Sequence, residues 1–156
     1  MGKKKKLPTA KQARQAAYAL HSLIIRDTKP FCQGKFHLPG DCNGVLQCAH
    51  IISKEQAGRI STRIDNGVTL CAKHHQQIDN NRVRWFQLVV QGQLMQNVIE
   101  LQRVQDESMV SSNSRSAAWW REEAARLHRE CVARSIEVRG VTKLMLDWIA
   151  TSSAAA

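Results

Sequence analysis

The chain has 156 residues, a hydrophobic fraction of 43% and a formal net charge of +10. That length suits one domain, or one domain with a helical appendix, and no apolar run approaches the ~20 residues a membrane-spanning helix needs. The charge is uneven: residues 1–92 carry 15 Lys+Arg against 5 Asp+Glu, while residues 93–156 carry 8 against 8.

The basic half therefore favours a polyanionic partner, most simply nucleic acid. The "LPTAKQARQ" that follows "MGKKKK" is too polar for the apolar core of a secretory signal. With five cysteines, an odd count, a reducing compartment is expected. Clustered cysteines there read as metal ligands before disulfides.

Residues 1–8 are expected to be a disordered basic tail. Thr9 and Gln12, with Pro8 just before them, fit a capping box that opens a helix. Ala13, Ala16, Ala17, Leu20, Leu23 and Ile24 form its apolar stripe. Pro30 ends the segment, so residues 9–30 are assigned to it.

Residues 31–92 change character, with Gly, Pro, Asp and Asn punctuating short segments. "VLQCAHII" (45–52) and "GVTLC" (67–71) read as strands. "DNG" (65–67) marks a tight turn between them. "AKHHQQIDNN" reads as a helix that ends at the Asn pair. "RVRWFQLVV" (82–90) suits strand or helix, and the i, i+3, i+4 spacing of Trp85, Leu88 and Val89 tips it to helix.

Residues 93–156 form a helical region. "SSNSRS" (111–116) reads as a linker. A long helix from about Ser116 puts Trp120, Ala124, Leu127 and Cys131 on one face and ends at Gly140. Glu122–Arg126, Arg126–Glu130 and Glu130–Arg134 are opposite charges spaced i, i+4. A closing helix carries Met145, Trp148 and Ile149. Trp119 lies off the apolar stripe, where an exposed indole would mark a surface for self-association or a partner protein, such as a phage protein.

Four potential ligands cluster in the loop-rich middle. Cys71 and His74, at i, i+3 on a helix start, put their side chains on one side, and Cys32 and Cys42 can complete a tetrahedral zinc site. The Cys32–Cys42 spacing is wide for such a pair, so His37 or Cys48 could replace one member. Cys71 with His75 is a further geometric option. His75 points about 100° away from His74, and Asp79 follows it at i, i+4. That pair could hold a second, divalent ion, with His50 pointing across the hairpin into the same place.

"CAHII … DNGVTLCAKHH" resembles the HNH, or ββα-metal, endonucleases, most nearly the small phage-type HNH proteins that include the NinG recombination nucleases. "IIRDTKPFC" is similar to the lead-in of that group. The resemblance implies an α+β fold, a small zinc-braced ββα-metal core with an N-terminal helix and C-terminal helices. It aligns His50, Asn66 and His75 with the family's catalytic positions. Cys32, Cys42, Cys71 and His74 fall on the structural Zn²⁺ positions, His74 standing where the family has a second Cys.

The implied activity is metal-dependent DNA endonuclease or nickase in a bacterial or phage-infected cytoplasm, leaving 5′-phosphate and 3′-hydroxyl ends. His50 would deprotonate the attacking water. Asn66 would brace the hairpin. A catalytic Mg²⁺, Mn²⁺ or Ni²⁺ would rest on His75 with Asp79 or Asp65. Many members carry Asp or His before the base; this chain has Ala49. That residue supports the rival reading of a zinc-stabilised DNA-binding or assembly module without hydrolysis. Lys54, Arg59, Arg63, Lys73, Arg82 and Arg84 are candidate phosphate contacts.

Overall fold

In the computed structural model, which describes residues 6–54, 56–110 and 115–153, helix α1 (Ala10–Thr28) opens on the capping box its sequence specifies. The Thr9 N–H donates to Gln12 Oε1 at 2.9 Å, and the Gln12 N–H donates back to Thr9 Oγ1 at 3.3 Å. The helix stops two residues short of Pro30, whose ring disfavours helical backbone before it. Residues 1–5 of the expected basic tail lie outside the described residues.

Strands β1 (Leu46–His50) and β2 (Gly67–Cys71) pair antiparallel, with Leu46 opposite Cys71 and His50 opposite Gly67. Helix α2 (Ala72–Asn80) follows β2 without a loop. The result is a ββα core within a mixed helix and two-stranded sheet fold, as the family resemblance implies. Helix α3 (Arg82–Gln91) begins where Asn81 Oδ1 accepts from the N–H groups of Val83 and Arg84, which settles the strand-or-helix ambiguity. Helix α4 (Met95–Val110) follows.

The expected tight turn at Asp65–Asn66–Gly67 is absent. A two-residue type I′ turn needs positive φ at both central residues, whereas Gly67 has φ −122° and Asn66 is not in a positive-φ conformation. Asp65 and Asn66 instead close a short 3-10 turn (Ile64–Asn66), and Gly67 opens β2. The strands are joined by the whole of residues 51–66, which hold a second 3-10 turn at Gly58–Thr62.

The chain divides into two compact units. One spans Ser22–Ser112. Its core joins Ala49 of β1 and Val68 and Leu70 of β2 to Ile78 of α2, Leu88 of α3 and Leu101 of α4. Because Leu101 is fully buried in that cluster, α4 lies with the ββα core.

The other unit joins the described residues up to His21 with those from residue 115 onward. Most of the linker "SSNSRS" lies outside the described residues. Helix α5 (Ala117–Ala133) buries Trp120, Ala124, Leu127 and Cys131 as expected, and Ser116 caps it by accepting from the Trp119 N–H.

Helix α5 ends well before Gly140. The Ile136 N–H donates to Cys131 O and the Ser135 N–H to Val132 O, with Ser135 at φ +58°. That is a Schellman stop with serine in the left-handed position where glycine is usual. Arg126 pairs with Glu123 in place of the expected Glu122, and Arg134 pairs with Glu130. Helix α6 (Lys143–Ser153) buries Met145 and Ile149 and leaves Trp148 half-buried. Trp119 is half-buried and meets Trp120 edge-on, ring centroids 4.7 Å apart.

Gly67 packs directly against α1: a Cβ added there would lie 2.5 Å from Ile25 Cγ1. Gly67→Ala should therefore cost about 1–3 kcal/mol by overpacking. Urea unfolding of the single variant, and of the double variant with Ile25→Ala, should show a favourable coupling between the two positions.

Candidate metal centre and adjoining cavity

Cys32 precedes the 3-10 turn Gln33–Phe36, Cys42 lies in the loop before β1, Cys71 closes β2, and His74 sits in the first turn of α2. The structure brings all four together: their ligand atoms lie within 4.8 Å of one another. His74 Nδ1 is 3.2 Å from Cys32 Sγ, 3.4 Å from Cys71 Sγ and 3.8 Å from Cys42 Sγ. Metal–sulfur bonds of about 2.3 Å and metal–nitrogen bonds of about 2.0 Å at tetrahedral angles predict sulfur–nitrogen separations of about 3.6 Å. The donor set therefore fits one tetrahedral soft metal ion.

Two outer contacts prepare the site. His74 Nε2 lies 3.1 Å from Gly40 O. A hydrogen on Nε2, shared with that carbonyl, leaves the Nδ1 lone pair facing the three sulfurs. The Cys71 N–H donates to Cys32 Sγ at 3.2 Å. Burial works to raise the Cys71 thiol, but the backbone N–H groups of His74 and Asn43 and the neighbouring thiols hold it below its ordinary value. Cys42 is an exposed residue, yet desolvation of its sulfur, with the Cys32 and Cys71 sulfurs beside it, pushes it up to about 11. His37, Cys48 and His75 do not join the cluster. The Cys48 thiol is pushed up to about 12 by burial.

The next residue on α2, turned away by the helix period, faces the sheet. His75 Nδ1 is 2.7 Å from Gln47 Oε1 on β1, and His75 Nε2 is 3.5 Å from Asp79 Oδ2. Because a carbonyl oxygen can only accept, Nδ1 carries the hydrogen given to Gln47, and Nε2 faces the Asp79 carboxylate. Two ligand atoms on one ion with bonds of about 2.0–2.2 Å stand about 3.0–3.5 Å apart when adjacent, so this pair fits a divalent cation.

Gln47 was not singled out from the sequence. It lies two residues before Ala49, on the same strand face, and that alternation from the family's usual ligand position was the signal available. Asp65, the other carboxylate considered, is taken by Arg63, whose Nε and Nη2 donate to it at 2.9 and 2.6 Å.

His50 ends β1 half-buried and lines a cavity of about 680 Å³ together with Asp79 and Arg82. Asp79 thus fronts the same space as His50 while touching His75. Asn66, fully buried, grips the chain just after His50. Its Oδ1 accepts from the Ile52 N–H at 2.7 Å, its Nδ2 donates to Ile52 O and Ile60 O, and its own carbonyl accepts from the Ile51 N–H.

Of the six basic residues expected near the site, Arg82 lines the cavity. Arg63 is committed to Asp65, and Arg84 donates to Gln87. Lys54 and Lys73 are exposed, Arg59 half-buried, and none of the three is among the cavity's lining residues.

A two-stranded hairpin running into a helix, with a Cys₃His cluster at the strand–helix junction, is the arrangement of a ββα-metal core. Residues 27–83 match the family model described as HNH endonuclease. No curated protein and no solved structure matches the chain. Among the described residues, no helix is long and apolar enough to cross a membrane.

Asn66→Ala would strand buried polar groups of the Ile52 and Ile60 backbone, at about 1–3 kcal/mol each where water cannot reach them. Urea unfolding should show a loss of about 3 kcal/mol.

Proposed function

We propose that the protein is a metal-dependent DNA endonuclease or nickase. The observation that carries this reading is the shared space: His50 and Asp79 line one cavity, and Asp79 Oδ2 lies 3.5 Å from His75 Nε2.

In this reading His50 accepts the proton of the water that attacks phosphorus. His75 and Asp79 hold a divalent ion, with Gln47 fixing the His75 ring. Such an ion supplies positive charge to the phosphate oxygens and the departing 3′ oxygen. Arg82, at the cavity, positions a phosphate. Asn66 keeps the strand end rigid so that the His50 ring stays aimed at the cavity.

Cys32, Cys42, Cys71 and His74 hold a structural Zn²⁺, which ties the loop before β1 to the start of α2. The basic excess in residues 1–92 draws the polyanion to this half of the chain.

Supercoiled plasmid incubated with Mg²⁺, Mn²⁺ or Ni²⁺ should be nicked. His50→Ala should lower the rate about 10²–10⁴-fold, the usual span for a lost general base, with DNA binding retained. Tight binding without cleavage in any metal would instead favour the binding-module reading, which Ala49 supports.

The structural ion has a separate test. Cys42, pushed up to about 11, is protonated at neutral pH and must lose that proton to ligate. Zn²⁺ titrated into metal-free protein should therefore release protons, and its affinity should rise with pH. Calorimetry in two buffers of different ionisation enthalpy reads the proton count directly.

A further inference from the structure

The cavity beside His50 is larger and more apolar than a scissile phosphate requires. Its volume of about 680 Å³ lies in the range of about 300–1,000 Å³ that takes small organic ligands. Beyond His50, Asp79 and Arg82, its wall includes Ile52, Trp85, Phe86 and Val98. Trp85 is fixed by its Nε1–H, which donates to Ile51 O at 3.1 Å. Phe86 is 56% exposed, an aromatic ring left in water at the proposed reaction site.

Two amides add polar edges. Gln56 Oε1 accepts from Ser53 Oγ, which turns its NH₂ to other partners. Gln102 Nε2 donates to Asp106 Oδ1, which leaves its carbonyl oxygen as an acceptor.

An intact duplex has nothing to put in such a space. It presents phosphates, sugars and base edges, while the faces of its bases are covered by stacking. A base taken out of the stack offers both a π-face and a hydrogen-bonding edge, and aromatic side chains hold it by stacking.

We propose that this cavity receives an unstacked nucleobase of the DNA strand being cut, stacked on Phe86, with Gln56 and Gln102 facing its edge. The substrate class is then DNA that carries an unpaired base next to the scissile phosphate. This rests on the nuclease reading for its location, yet it can fail separately.

The test compares two duplexes of one sequence: one with a single unpaired nucleotide, one with the same nucleotide made abasic. The zinc-loaded full chain, without added Mg²⁺, Mn²⁺ or Ni²⁺, is titrated against each by fluorescence anisotropy. The base-bearing bulge should bind about tenfold tighter, the lower end of what one stacked base contributes. Phe86→Ala should erase the difference and leave intact-duplex binding unchanged; Phe86→Trp should keep it. Equal binding of the two bulges by the wild type, or a difference that survives Phe86→Ala, overturns the proposal. A nicking assay run in parallel separates the two readings. Base preference without nicking in any metal supports the pocket and overturns hydrolysis, whereas nicking without base preference overturns the pocket alone.

Discussion

One imidazole ring organises the core. His74 sits with Nδ1 among three sulfurs and Nε2 against the Gly40 carbonyl. It thereby ties together three stretches of chain: the segment from Cys32 to Cys42, the end of β2 and the start of α2. Since α2 follows β2 without a connecting loop, fixing His74 also fixes how the helix leaves the sheet. The next residue then points about 100° away, and this carries His75 to Gln47 on β1. His75 is thus turned away from the clamp because it is the next residue of the same helix.

A two-stranded sheet is marginal by itself in water, so the hairpin depends on what packs against it. Val68 and Leu70 of β2 and Ala49 of β1 join Ile78, Leu88 and Leu101 in one buried cluster. The long strand connection adds Ile51, Ala57 and Ile60 to that cluster, and polar groups tie it further. Asn66 closes four hydrogen bonds across it, counting its own carbonyl. Apolar packing therefore holds both the helices and the strand connection to the sheet, and the buried Asn66 amide adds polar ties to the segment that follows His50.

Most of this was legible where local chemistry and tertiary context agree. The start of α1 was readable because Thr9 and Gln12 close a local box, and β2 and α2 because their residues alternate and then change period. The four cluster ligands stood out by residue type. The failures share a cause: each turned on a conformation that several residue types can adopt, or on a partner distant in sequence. Asp65–Asn66–Gly67 has the composition of a tight turn, but Asn66 is buried and bonded to residues upstream, so backbone and side chain go elsewhere. Ser135 takes the left-handed position that ends α5, where glycine is usual, five residues before Gly140. Gln47 carries no signal until its partner, 28 residues later, is known. The placement of α4 rests on the burial of Leu101 among residues far earlier in the chain.

Ala49 shows how the departures from the family pattern fit together. It is 1% exposed and belongs to the apolar cluster, so a carboxylate there would have to leave the core to reach an ion. On the proposed reading the protein contributes two ligands from one helix, His75 and Asp79, with Gln47 orienting the first from the strand. An ion held by so few protein groups keeps more positions for water and for phosphate oxygens, as hard divalent cations tend to do. Its tenure in the site then depends on the substrate as well as the protein, because bound phosphate completes the coordination. DNA and metal would bind cooperatively, and the separate Cys₃His clamp is what lets the fold stand while the catalytic ion comes and goes.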